Sequence, residues 1–303
     1  MTNPRLAVVG LALVTLALAG SAETGDGNVE SPLITKHYVT VSGGQVHYVS
    51  AGEGEVVLLL HQAPLSHAEF LPTIQLLARH FKVIAWDAPG HGDSFIPDHE
   101  YEFLEYFGAL EEFVDALGIT KLFIVGNHAG ASLTREYAAA HPERVVKMVL
   151  SGSARTPPEP STELTKAEEF LNQPYSRELN LDPEGNFLPP TWRRYVTLAS
   201  PAADPDDVLR AFIIGLDART KPYDLHLAIF GYEGWTDYRT IETPTMLLCG
   251  DGDFFVNQER IDYTCTLFPN CEVHPLINDA GAFIGLEQPE AYTEAIIEFL
   301  QRP

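Results

Sequence analysis

His128 stands at the centre of Gly126-Asn127-His128-Ala129-Gly130, directly after the apolar run from Leu122 to Val125. That run reads as a short buried strand, and the glycines break it into a segment with helical spacing, so the stretch is strand, sharp turn, helix. A side chain at the middle of such a turn is pushed into open space at the carboxyl edge of a parallel sheet, and the flanking glycines keep neighbouring atoms clear. This is the geometry of a nucleophile elbow, G-x-S-x-G, with histidine in place of serine. Histidine tolerates the strained positive φ of an elbow better than most non-glycine residues do. An imidazole presented there can act as a general base on water or substrate, or as a nucleophile that forms an acyl-imidazole. The first role is simpler, because it needs no second proton shuttle.

The elements around the elbow must put it at the edge of a sheet. Tyr38 to Ser42 and Gln45 to Ser50 alternate like strands about a Gly43-Gly44 turn. Val56 to Leu60, Lys82 to Trp86 and Val145 to Ser151 read as further strands, the first two being apolar runs covered on both faces. Phe70 to Arg79 and Tyr101 to Leu117 have helical spacing, the latter stopped by Gly118. Strands separated by helices predict βαβ units and a mostly parallel sheet. From 155 to 235 the chain is rich in Pro and charge, with helical stretches at Thr162 to Leu171 and Pro205 to Leu216 and no apolar strand, which reads as a helical insertion. The sheet resumes with Thr245 to Cys249 and Cys271 to Leu276, with helices at Gln258 to Leu267 and Pro289 to Leu300. The predicted organisation is a leader at 1–22, a first core segment at 23–154, the insertion at 155–235 and a second core segment at 236–303.

Composition narrows the function. The 303 residues carry a formal charge of −23, a surface that repels phosphate backbones and anionic headgroups, so no nucleic-acid partner is expected, and no stable membrane partner once the leader is cleaved. Met1 to Arg5 is a short basic region, Leu6 to Ala19 is apolar, and Gly20-Ser21-Ala22 offers small residues before Glu23: the pattern of a secretory signal. Export to the periplasm or medium is the expectation, an uncleaved membrane anchor the alternative. Cys249 ends an apolar strand as a small buried hydrophobe, whereas Cys265 and Cys271 flank a Pro-Asn turn where a bridge is possible but unfixed by sequence.

In order, these pieces resemble the α/β-hydrolase superfamily from Tyr38 to Leu300. His61-Gln62-Ala63-Pro64 is similar to that family's His-Gly oxyanion loop, Asp87-x-x-Gly-x-Gly-x-Ser94 to its next turn, and Gly126 to Gly130 to its elbow. Val149 to Gly152 followed by an insertion resembles the point where the family places its cap. Gly250-Asp251-Gly252-Asp253 resembles the turn with the acidic triad member, which spacing assigns to Asp253 over Asp251. Asn278 to Glu290 resembles the closing motif, where histidine normally precedes the phenylalanine and this chain has Ala282.

The resemblance implies backbone N–H groups of Gln62 and Ala129 as an oxyanion hole, His61 as support for that loop, and specificity from the cap. It does not imply a serine relay, because both the serine and the closing histidine are absent. Instead, an imidazole at 128 could enter the space left by the methyl group at 282 and be oriented by Asp253, forming a His-Asp dyad. The expected activity is hydrolase-like, on a small ester, lactone or related carbonyl compound, without cofactor or metal. The alternatives are a non-catalytic ligand-binding protein of the same fold, or a lyase or cofactor-free oxygenase using the same base. Trp192 and Trp235, with Arg193, Arg194 and Tyr195, suit a substrate with a ring or an anionic group. A metal site of His61, His128 and Asp253 has no ligand-spacing signature, and His274, expected within a strand, reads as structural.

Overall fold

A computed structural model describes residues 32–155, 182–221 and 225–303. The apolar leader and the expected helix Thr162 to Leu171 lie outside the described residues. Eight strands form one sheet: β1 (Thr35–Val41), β2 (Gly44–Ala51), β3 (Val56–Leu60), β4 (Lys82–Trp86), β5 (Leu122–Asn127), β6 (Val145–Ser151), β7 (Thr245–Leu248) and β8 (Cys271–Val273). Their order is β1-β2-β4-β3-β5-β6-β7-β8. The first two pairings are antiparallel and the rest parallel, as βαβ crossovers require.

Alternation along the central strands divides the core. Leu58, Leu60, Ile84 and Ile124 face one layer, where they meet α2 (Phe103–Ala116) and α3 (Ala129–Ala140). Val57, Leu59, Val83 and Val125 face the other, where they meet α1 (Leu71–Leu77) and the C-terminal α9 (Pro289–Gln301). Both faces are therefore dry, which is why these strands read as continuous apolar runs. The N-terminus of α2 is closed by a reciprocal capping box between Glu102 and Glu105.

Between β6 and β7 the described elements are helices: α4 (Leu188–Leu198), α5 (Pro205–Ala218) and α6 (Leu225–Gly231). Tyr195 and Ala199, at the end of α4, pack with Leu65, Phe283 and Leu286 in a third apolar cluster, which seats α4 on the closing turn. After β7 come α7 (Gln258–Cys265), β8 and the short α8 (Ile284–Glu287). Cys265 and Cys271 are disulfide-bonded across the turn from α7 to β8, which resolves the pairing that the sequence left open. Two expectations are shortened: α1 is preceded by a 3₁₀ turn at His67–Phe70, and β8 stops at Val273. His274 accordingly lies just past the strand. No described helix is long and apolar enough to cross a membrane.

Candidate active site

The elbow is as tight as its glycines imply. His128 has φ 45° and ψ −104°, a left-handed conformation for a non-glycine residue. A Cβ on Gly130 would lie 2.0 Å from the carbonyl oxygen of Leu60, so α3 can close onto β3 only with glycine there. The amide of His128 donates to the carbonyl of Ser151 at 2.8 Å, which fixes the turn to the end of β6.

His128 Nε2 lies 3.1 Å from Asp253 Oδ2, an ion-pair contact that is off the line of the ring N–H. Asp253 is held for this: its Oδ1 accepts the amides of Phe255 at 2.8 Å and Val256 at 3.0 Å, leaving Oδ2 for the imidazole. Asp251, the competing acid, instead faces the Ala280 amide at 3.4 Å. The ring of Phe255 meets His128 edge to face. Burial alone would push the imidazole pKa down, but the charge and contact of Asp253, with the charge of Glu69 added, hold it above the ordinary histidine value. Nδ1 is the ring nitrogen that does not meet Asp253.

The oxyanion loop differs from expectation at Gln62. Its amide, expected to point at a substrate oxygen, donates instead to Glu69 Oε1 at 2.8 Å, and its side-chain amide donates to Glu69 Oε2 at 2.9 Å. The physical reason is that Glu69 is 1% exposed, and a buried carboxylate takes whatever donors are near. Asn127 adds a third donor at 3.3 Å. Gln62 Nε2 also reaches the carbonyl of Ala282 at 2.8 Å, and the Ala282 amide donates to Leu198 at the end of α4 at 2.9 Å. Ala129 begins α3 and presents its amide at that helix's N-terminus.

Glu69 is the residue that sequence reasoning missed. A single Glu in Ser66-His67-Ala68-Glu69-Phe70, just ahead of the expected helix, carries no pattern that marks it as buried. Burial pushes its carboxyl up to about 7, against the lowering effects of the Gln62 and Asn127 bonds and the His128 charge.

His61 serves as support: Nδ1 bonds the Gln62 carbonyl at 2.9 Å, and Nε2 accepts the Ala88 amide at 3.0 Å. Burial, with the charge of His91, lowers it to about 3, so it is neutral. With both nitrogens committed, it does not join His128 and Asp253 in a metal site. Among the described residues the one grouping with ligand spacing is His47, His67 and Asp87, away from the elbow. There both Nδ1 atoms hydrogen-bond Asp87, which also accepts the amides of His67 and Asp93, so the carboxylate is satisfied without an ion.

The two tryptophans diverge. Trp192 packs on Phe212 in the layer that seats α4 at the closing turn. Trp235 packs on Phe103 and Tyr232 and carries the Arg135 guanidinium over its ring at 4.6 Å. No contact among the described residues joins either ring to His128.

Residues 55–289 match the family model for the alpha/beta hydrolase fold, and the chain belongs to that family. It is 26% identical over 279 residues to a 2-hydroxy-6-oxo-6-(2'-aminophenyl)hexa-2,4-dienoic acid hydrolase of Metapseudomonas resinovorans, covering 88% of this chain and 91% of that one. A structural likeness to an esterase from Thermogutta terrifontis has a TM-score of 0.70 at 21% identity, over 89% of this chain and 98% of the other. A bacterial membrane phospholipase A structure aligns with TM-score 0.72 at 23% identity, over 88% and 86% of the two chains. At those identities the two structural matches speak for the fold alone.

Proposed function

We propose that this protein is a hydrolase-type enzyme for a small ester, lactone or related carbonyl compound, with His128 as general base and Asp253 as the group that orients it. The observation that carries this reading is the 3.1 Å contact between His128 Nε2 and Asp253 Oδ2 at a strained elbow. As Nδ1 takes a proton from water, the water oxygen adds to the carbonyl carbon; Asp253 stabilises the imidazolium, and the proton then passes to the alkoxide oxygen as the acyl C–O bond breaks, giving acid and alcohol. With the Gln62 amide committed to Glu69, the oxyanion donor left from the expected pair is the amide of Ala129 at the N-terminus of α3. Neither tryptophan is given a substrate contact, Trp192 being packed on Phe212 and Trp235 on Phe103 and Tyr232.

One observation favours a second reading, a ligand-binding protein of this fold without turnover: the Gln62 amide is already occupied by an internal carboxylate. Screening esters and lactones with wild type and His128→Ala separates the two. The enzymatic reading expects turnover that falls by about 10² to 10⁴ in the variant. Equal turnover in wild type and variant overturns it, and ligand-induced thermal shifts without turnover establish the second reading. Export is part of the same proposal, supported by the leader sequence and by the Cys265–Cys271 bridge, which suits an oxidising compartment. Mass spectrometry of the mature chain, with Glu23 expected first, tests it.

A further inference from the structure

Glu69 lies on the 3₁₀ turn after the oxyanion loop, 1% exposed. Its three hydrogen-bond donors, the Gln62 amide, Gln62 Nε2 and Asn127 Nδ2, are all neutral. They come from two different segments, the oxyanion loop and the last residue of β5 before the elbow. Gln62 then continues to the Ala282 carbonyl, so the carboxylate stands at the junction of the three segments that make the site. The ionisable groups that feel it are His128 on the elbow and Tyr292 on α9; Asp253 faces His128 from the far side. Among the described residues, no Lys or Arg bonds it.

A buried carboxylate bonded only to neutral donors keeps most of its desolvation cost, and it is stable as an anion only when a cation is near. The group that can supply that cation is the imidazole of His128, one residue beyond Asn127. We propose that Glu69 is the positioning residue of this site: it ties the oxyanion loop to the elbow strand and sets a second titratable charge beside His128. The two groups then titrate as a coupled pair, the ionised carboxylate favouring the imidazolium and the protonated one favouring the neutral base. The proposal rests on the reading of His128 as the working base, but its test needs no turnover.

The ring of His128 is followed by NMR titration in the full chain and in Glu69→Gln, which keeps the size and removes the charge. The expected result is a fall in the His128 midpoint of about one pH unit, with near-ultraviolet dichroism unchanged. An unmoved midpoint in the folded variant overturns the proposal, because a purely structural glutamate would leave the imidazole as it was. If Glu69→Gln does not fold, the Glu69 carboxyl carbon is titrated in wild type. A midpoint near 7 echoed at His128 supports the proposal; one near the ordinary 4.5 with no echo overturns it. A midpoint that moves while His128→Ala retains turnover removes the catalytic reading and leaves this one standing.

Discussion

The imidazole nitrogen that meets Asp253 has room only because residue 152 has no side chain. Gly152, at φ 60° just past β6, would carry a Cβ 2.4 Å from His128 Nε2. Gly152→Ala should therefore cost about 1–2 kcal/mol for the left-handed backbone and also push the ring off Asp253. The expected outcome is a folded protein with a lowered Tm and a His128 titration midpoint that drops, since the charge that raised it has moved away. An unchanged midpoint would show that the ring contact is incidental. At this scale the sequence was partly informative. Glycines at fixed spacing impose backbone geometry whatever stands between them, so His128 and the turn of Asp253 were legible. Glu69, Gln62 and the tryptophans were not, because a residue's type does not say which way it points. The Gln62 amide goes to a carboxylate seven residues ahead, and Trp235 spends its face on Arg135 and Phe103.

Among the elements, the central parallel strands were the most legible. β3, β4 and β6 match their expected bounds residue for residue, and their central stretches, Val57 to Leu60, Val83 to Trp86 and Met148 to Ser151, are buried without a break. The ends of the sheet were harder. β8 stops after three residues, where His274 still donates its amide to Leu247 but Pro275 has none to give. Phe70 belongs to a 3₁₀ turn, because Glu69 must reach back to Gln62 before α1 begins. The bridge between Cys265 and Cys271 closes a sequence separation of 6 and ties α7 to this edge strand. A loop that short constrains the unfolded chain modestly, so replacing both cysteines by serine should lower stability by about 2 kcal/mol. Urea unfolding of the double variant checks it, and elbow geometry, three strands away, should be unaffected.

For the molecule as a whole, the buried ionisable groups oppose each other with pH. Glu69 binds its proton more tightly folded, at about 7 against 4.5, so it subtracts stability as pH rises through that interval. His61 does the reverse: at about 3 folded against 6.5, it subtracts stability as pH falls. Between about 4.5 and 6.5 the two offset each other. Below that window Glu69 no longer compensates, and Asp87, held below the ordinary carboxylate range against the opposing effect of its burial, adds to the loss. Above it, Glu69 continues to subtract, and His128, whose raised pKa stabilises only while the ring is protonated, loses its contribution. Unfolding free energy measured in urea from pH 3 to 9 should show a broad mildly acidic plateau with a decline on each side. A monotonic rise to pH 8 would contradict these assignments. The high negative charge adds self-repulsion in the same alkaline direction.

One file of hydrogen bonds runs from Leu198 through Ala282, Gln62 and Glu69 to Asn127, the neighbour of the imidazole. Gln62 is therefore the joint of this file, since its one side-chain nitrogen serves both the closing turn and Glu69. Gln62→Leu removes that joint, and the His128 ring resonances of the folded variant should move from their wild-type positions; unchanged resonances would show that the file ends short of the imidazole.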